Sequence, residues 1–108
     1  MTNNDKVKEL SNLEFDTFIK DDLVLIDFSA DWCMPCLMMD PVVDELSDKF
    51  KGRIKFGKVD VGENQETSKK FEVLSIPAFI LFKNGEIIDQ FKGAMPIEEF
   101  EDRLKKHL

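Results

Sequence analysis

The 108-residue chain is predicted to fold as one α/β domain over residues 1–108, with a mixed sheet of about five strands flanked by four helices. Three observations predict this fold class. The length fits one compact domain, and a hydrophobic fraction of 43% is enough to build a core. Short apolar segments of strand character alternate with segments of helical periodicity. Finally, Asn84-Gly85 lies between two strand-like segments and predicts a hairpin, which adds antiparallel pairing to helix-linked strands.

The first half of the chain is predicted to contain two strands and two helices. They are, in order, an edge strand over Val7–Leu10, a helix from Ser11 to about Lys20, a strand over Leu23–Phe28 and a helix from about Cys33 to about Phe50. Ser11 followed by Glu14 is the pattern of a capping box. The nearly continuous apolar segment Leu23–Phe28 is typical of a central strand covered on both faces. Pro41 falls inside the second helix, which it is expected to kink.

The second half is predicted to contain three strands and two helices. They are a strand over Ile54–Val61, a helix from Glu63 or Asn64 through Phe71, strands over Phe79–Phe82 and Glu86–Phe91, and a last helix from Pro96. Proline is favoured at the first helical position, and Glu98 and Glu99 near the start suit the helix dipole. The predicted order is therefore β-α-β-α-β-α-β-β-α.

Composition excludes several classes of function. The formal charge of −7 argues against broad binding to nucleic acids or anionic membranes. Apolar segments such as Leu23–Phe28 are too short to cross a bilayer. The polar start, Met1–Leu10, lacks the apolar region of a secretory signal, so a cytoplasmic location is expected. Two cysteines and one histidine are too few for a four-ligand zinc site, and no metal is expected.

The motif that carries chemistry is Trp32-Cys33-Met34-Pro35-Cys36, at the start of the second helix. Residues three apart share a helix face, so the two sulfurs can meet. Cys33 at the helix terminus is predicted to be the exposed cysteine and is favoured as a thiolate, the species that attacks a disulfide. Cys36, one turn further in, is placed to resolve the mixed disulfide, and Pro35 stiffens the turn. A purely structural bridge is the alternative, but so short a loop removes little chain entropy.

Together with four further motifs, this segment resembles the thioredoxin family over essentially the whole chain. The motifs are Phe28–Cys36, Lys58-Val59-Asp60, Ser75-Ile76-Pro77, Phe82–Glu86 and Gly93-Ala94. The resemblance implies the thioredoxin fold and a redox-active disulfide between Cys33 and Cys36. It also implies protein substrates that contain disulfides and a separate thioredoxin reductase. The sequence contains no GxGxxG motif and no phosphate-binding loop, so no bound cofactor is expected. We expect a monomer.

The resemblance assigns roles to several residues around the cysteines. Asp27 interrupts an apolar strand, so burial should raise its pKa. In the family a matching aspartate accepts the proton of the inner cysteine, here Cys36; the alternative is a partly exposed Asp27. Lys58 matches a lysine that modulates this aspartate, although an ordinary surface lysine is the alternative.

The same resemblance places a cis-proline, Pro77, opposite the cysteines, so that the Ile76 backbone meets the substrate as an added strand. Gly93 and Ala94 lie on the same rim, where Gly93 is otherwise only a turn residue. Trp32 is expected to cover the disulfide, or else to be a packing aromatic.

Two residues depart from the family pattern. Met34 stands where glycine is common and Leu37 where lysine is common, which leaves the redox potential open. We hypothesise that Met34 and Leu37, with Ile76, Ala94 and Met95, form an apolar docking rim. The alternative is that Leu37 and Met95 pack inward.

The leading prediction is a protein-disulfide reductase, an enzyme that is re-reduced by a separate reductase. A disulfide oxidase or isomerase is the second hypothesis and requires a more oxidising potential. A non-catalytic adapter that binds partners through its rim is the third.

Overall fold

The computed structural model describes residues 7–108, so the first six residues of the polar N-terminal segment lie outside the described residues. Over that range the order of elements is the predicted β-α-β-α-β-α-β-β-α. The strands are β1 (Val7–Glu9), β2 (Val24–Ser29), β3 (Lys55–Asp60), β4 (Ala78–Lys83) and β5 (Glu86–Lys92). The helices are α1 (Asn12–Phe18), α2 (Met34–Lys49), α3 (Gln65–Lys70) and α4 (Ile97–Lys105).

The five strands of the described chain form one mixed sheet in the order β1-β3-β2-β4-β5. β3 pairs in parallel with β1 and with β2, whereas β4 is antiparallel to both β2 and β5. β2 is central, and all six of its residues are buried. The prediction of a thioredoxin fold with a mixed sheet is confirmed.

The two faces of the sheet hold separate hydrophobic clusters. Val24, Ile26 and Phe28 point to the side of α1 and the residues that follow α3. Leu25 points to the opposite side, which α2 and α4 cover through residues such as Leu46 and Phe100. Asp27 alternates with Phe28 along the strand, so it lies on the α2 side. β2 therefore delivers one ionisable side chain to the underside of α2.

Local signals set most element boundaries. The Ser11 N–H donates to Glu14 Oε1 at 3.0 Å, as the capping-box pattern predicts. Asn84 and Gly85 have φ angles of 52° and 88°, the backbone that the predicted two-residue hairpin requires. α2 continues through Pro41, which lies on its exposed side.

The start of the last helix differs by one residue from the prediction. Pro96 is the N-cap of α4 rather than its first helical residue, with an extended ψ of 152°. Its carbonyl accepts hydrogen bonds from the Glu99 and Phe100 N–H groups. The fixed φ of proline suits either position, and the extended ψ makes Pro96 the N-cap.

Within residues 7–108, no helix is both long enough and apolar enough to cross a membrane.

Candidate active site

A disulfide between Cys33 and Cys36 lies at the N-terminus of α2. Cys33 is the N-cap residue, and its sulfur accepts a hydrogen bond from the Cys36 N–H at 3.3 Å. The loop from β2 is fixed by a further bond, from the Cys33 N–H to the Ala30 carbonyl. The central strand and the helix start thus hold both cysteines, as the spacing of the motif predicts.

Both cysteines are largely shielded from solvent in this disulfide form. Cys33 is 6% exposed and Cys36 2% exposed, and they form a small cluster with Ala30, against which Val61 and Ile76 pack. Cys33 is thus slightly more accessible than Cys36, although both are buried. It is nevertheless less exposed than the prediction of an exposed attacker implied, because neighbouring side chains cover the helix start.

A second segment faces the disulfide. The Ile76–Pro77 peptide bond is cis, as the resemblance implies, and Cys33 Sγ lies 3.9 Å from the Ile76 carbonyl oxygen. The Gly93 N–H donates to the Pro77 carbonyl at 2.8 Å, with Gly93 at a φ of 90° that favours glycine. The structure therefore brings Ile76, Pro77 and Gly93 together beside Cys33. Ala94 follows Gly93 and is exposed.

Asp27 is buried beneath α2 with 1% of its surface exposed, so the alternative of a partly exposed aspartate is wrong. Its Oδ1 has no hydrogen-bond partner within residues 7–108. Burial raises the pKa of Asp27 to about 7, although the charge of Lys58 works in the opposite direction. The carboxyl group can therefore gain and lose a proton near neutral pH.

Lys58 lies directly opposite Asp27 in the β2–β3 register and is half-buried. Its Nζ donates to Asp40 Oδ1 at 3.0 Å, so the two side chains form an ion pair. Burial tends to lower the pKa of Lys58, but the hydrogen bond and charge of Asp40, with smaller contributions from Asp27 and Glu9, raise it overall. Lys58 therefore carries a positive charge at neutral pH.

Asp40 is a site residue that the sequence prediction did not include. It lies four residues after Cys36 in α2, a spacing that places both on one helix face. Together with Asp27 and Lys58 it lines a cavity of about 340 Å³. Among residues 7–108, no cluster of three or more His, Cys, Asp or Glu side chains is placed to hold a metal ion.

Several residues in and next to the Cys33–Cys36 segment have exposed apolar side chains. Trp32 is 77% exposed, and Met34 and Leu37 are also exposed. Met95 is only half-exposed and packs against the core cluster. Of the two residues whose inward packing was the alternative to a docking rim, Leu37 therefore lies outward and Met95 partly inward. Met38 and Leu74, which the sequence analysis did not single out, are also exposed apolar side chains.

Comparisons with known proteins agree with this geometry. The thioredoxin family model matches residues 6–106. Thioredoxins of Staphylococcus epidermidis (strain RP62A), Staphylococcus haemolyticus and Staphylococcus aureus (strain Mu50) are 41%, 42% and 39% identical to the chain over 102 residues. Each alignment covers 94% of this chain and 98% of the relative. With its two cysteines joined at the start of α2, this chain belongs to the thioredoxin family of thiol–disulfide oxidoreductases.

Proposed function

We propose that the protein is a protein-disulfide reductase in which Cys33 attacks the substrate and Cys36 completes the exchange. The observation that carries this proposal is the placement of Cys33 Sγ at the N-cap of α2, where it accepts the Cys36 N–H. A helix N-terminus and an N–H donor both stabilise negative charge on sulfur. The reduced protein would thus hold Cys33 as a thiolate, the species that attacks a disulfide.

The exchange has two steps. The Cys33 thiolate attacks one sulfur of the substrate disulfide, whose S–S bond breaks and releases the first substrate thiolate. Cys36 then loses its proton and attacks Cys33 Sγ, which breaks the mixed disulfide and releases the second thiolate. Two electrons pass to the substrate, and the protein is left with the Cys33–Cys36 disulfide.

Asp27 is proposed as the acceptor of the Cys36 proton. It lies beneath the first turns of α2, in a cavity that Leu37 and Asp40 also line. A general base is most effective when its pKa is close to the working pH, and burial raises the pKa of Asp27 to about 7. The ionised carboxylate takes the proton as Cys36 attacks.

The substrate is proposed to lie across the segment Ile76–Pro77 and the Gly93-Ala94 turn. The Ile76 carbonyl oxygen lies beside Cys33 and is available to an extended chain. The exposed side chains of Trp32, Met34 and Leu37 would contact apolar residues around the substrate disulfide.

A separate thioredoxin reductase would reduce the Cys33–Cys36 disulfide again after each exchange, and no bound cofactor is proposed. The monomeric state and the cytoplasmic location stay predictions from the sequence.

Substitution of Cys33 separates a reductase from an adapter. Cys33→Ser is expected to abolish reduction of a protein disulfide such as that of insulin, with dithiothreitol as the electron source. It should leave binding of a partner protein unchanged if the adapter hypothesis holds. Residual reduction above the rate of dithiothreitol alone would contradict the assigned nucleophile.

Asp27→Ala tests the proton acceptor. The fold is expected to survive, and release of substrate from the mixed disulfide should slow by about 100-fold at pH 7, the lower range for general base catalysis. The measurement is a stopped-flow record of the second step, with far-ultraviolet circular dichroism as the control for folding. Unchanged turnover near neutral pH would count against this role.

The redox potential separates a reductase from an oxidase or isomerase. Equilibration of the protein with glutathione at defined ratios, followed by Trp32 fluorescence, gives the midpoint. A midpoint within or below the range of the cytosolic glutathione potential, roughly −220 to −320 mV, supports a reductase. A midpoint well above that range would overturn the proposal.

A further inference from the structure

The ammonium group of Lys58, a neighbour of Asp27, forms its ion pair with a different carboxylate, that of Asp40. Lys58 is the direct neighbour of Asp27 in the parallel β2–β3 register, so the two side chains leave the sheet on the same face. Yet the Lys58 ammonium donates to Asp40 Oδ1 at 3.0 Å. Asp27 Oδ1, by contrast, has no hydrogen-bond partner in the described chain.

We propose that Asp40 is a positioning residue for proton transfer at Cys36: its carboxylate holds the Lys58 ammonium at the exposed end of the cavity and so keeps this cation from pairing with Asp27. The proposal rests on the role assigned above to Asp27 as proton acceptor. It adds a second carboxylate that sets the pH at which this acceptor works.

The placement of the three side chains supports this assignment. The side chains of Lys58 and Asp40 are 30% and 37% exposed, whereas Asp27 is 1% exposed. The ion pair therefore lies toward solvent and Asp27 at the closed end of the same cavity of about 340 Å³. Asp40 is also one helical turn from Cys36, so α2 fixes the spacing between the resolving cysteine and the residue that holds Lys58.

Other charged groups around the cavity do not take over the role of Asp40. Glu9 of β1 and Asp44 of α2 also line the cavity, but Lys58 Nζ donates its hydrogen bond to Asp40 Oδ1. On the β4 side the neighbour of Asp27 is Phe79, which carries no charge. Among the described residues that line the cavity, Lys58 is the one with a positive charge, and Asp40 accepts its hydrogen bond.

The sign of the effect follows from these charges. Burial is the main cause that raises the pKa of Asp27; Lys58 lowers it and Asp40 raises it. Removal of the Asp40 charge eliminates one repulsion and also frees Lys58 to approach Asp27. Both changes favour the ionised carboxylate, so Asp27 should ionise at lower pH. The carboxylate would then be a weaker base toward Cys36.

The direct test is a titration of Asp27 by ¹³C NMR of its side-chain carboxyl carbon in the disulfide form, in which neither cysteine titrates. We expect Asp40→Asn to lower the midpoint by roughly 0.5–1 pH units relative to the wild-type chain. Asp40→Glu retains the charge and should lie closer to the wild type. Asp44→Asn is the matched control, since it removes a carboxylate from the same cavity and helix but not the bond to Lys58.

A double-mutant cycle with Lys58→Met separates positioning from direct repulsion. If Asp40 acts by holding Lys58, the shift caused by Asp40→Asn should fall by at least half in the Lys58→Met background. A shift of equal size in both backgrounds would overturn the positioning role, as would an unchanged or raised midpoint in Asp40→Asn alone. An equal shift in Asp44→Asn would also contradict it.

The NMR titration does not require disulfide reduction, so it stands apart from the proposed function. The pH dependence of substrate release then links the two. Release requires ionised Asp27, so its rising limb should move to lower pH in Asp40→Asn by the same amount as the NMR midpoint. If the midpoint moves and the release profile does not, Asp40 still positions Lys58 but Asp27 is not the proton acceptor.

Discussion

The two faces of β2 show how one strand serves both stability and chemistry. On the α1 side, Phe28 packs in an aromatic cluster with Phe15, Phe71 and Phe82, at ring-centroid separations of 5.3 to 6.5 Å. On the α2 side, the preceding residue, Asp27, is equally buried but leaves a carboxyl oxygen without a hydrogen bond within residues 7–108. Because alternate residues of a strand point to opposite faces, the packing around Phe28 can stabilise a fold whose other face holds an unfavourable charge at Asp27.

The largest effect on stability is expected on the aromatic face. Phe28→Ala removes a fully buried ring and leaves a cavity, which should lower the free energy of unfolding by about 3–5 kcal/mol. Urea denaturation at pH 7 measures this loss. A decrease below about 1 kcal/mol would show that the aromatic cluster does not carry the stability that the comparison assigns to it.

On the opposite face, Asp27→Asn is expected to increase stability in a pH-dependent way. The pKa of Asp27 is about 7 in the folded state against an ordinary value of 3.8. The folded state therefore retains a proton that the unfolded state releases, and stability falls as the pH rises from about 4 to about 7. The folded and unfolded pKa values differ by about 3, and each pKa unit corresponds to about 1.4 kcal/mol. Above pH 7 the buried carboxylate therefore lowers the free energy of unfolding by about 4 kcal/mol.

Asp27→Asn removes this penalty, so the two proteins should be similarly stable near pH 4 and diverge up to about pH 7. Urea denaturation across this pH range measures the difference. A constant difference, or a less stable variant at pH 8, would contradict a buried carboxyl group that ionises near neutral pH. The same variant should release substrate more slowly, which makes Asp27 a residue that favours activity over stability.

A smaller effect is expected at the contact between the sheet and α1. A Cβ atom at Gly57 would lie 2.8 Å from both Leu10 Cδ1 and Phe18 Cε2, which are packed in the buried core. Gly57→Ala should therefore destabilise the protein by about 1–3 kcal/mol through overpacking. Thermal denaturation measures it, and an unchanged melting temperature would show that this face is less tightly packed than its contacts indicate.

The smallest effect is expected at the surface around the disulfide. Leu37 is 44% exposed, so Leu37→Lys should change the free energy of unfolding by less than about 0.5 kcal/mol. It should nevertheless reduce the rate with protein substrates whose disulfides are flanked by apolar residues more than the rate with a small disulfide. Equal effects on both rates would argue against an apolar docking surface.

Local signals explain why much of this fold could be predicted from the sequence. Ser11 with Glu14, and Asn84 with Gly85, act through neighbouring backbone, so their outcomes do not depend on distant residues. Burial of Asp27 was predictable as well, since it interrupts an apolar strand. The motif Cys33–Cys36 at a helix start similarly contains the geometry of its disulfide.

What the sequence left open depends on tertiary contacts. The role proposed for Asp40 requires that β3 lie beside β2, and that α2 cover both, which the order of elements alone does not specify. For the same reason the ion pair of Lys58 with Asp40 could not be predicted. The exposure of Leu37 and the half-burial of Met95 likewise depend on tertiary packing, because both residues are apolar and lie at positions where either outcome fits the sequence pattern.

The division of work between the two cysteines is tested most directly by trapping. Cys36→Ser, reduced and mixed with a disulfide-containing protein, should accumulate a mixed disulfide through Cys33, visible by mass spectrometry of the intact complex and its peptides. Cys33→Ser under the same conditions should trap little or none, since its remaining thiol is 2% exposed in the disulfide form. A stable adduct through Cys36, or equal trapping by both variants, would contradict the assignment of Cys33 as the attacking residue.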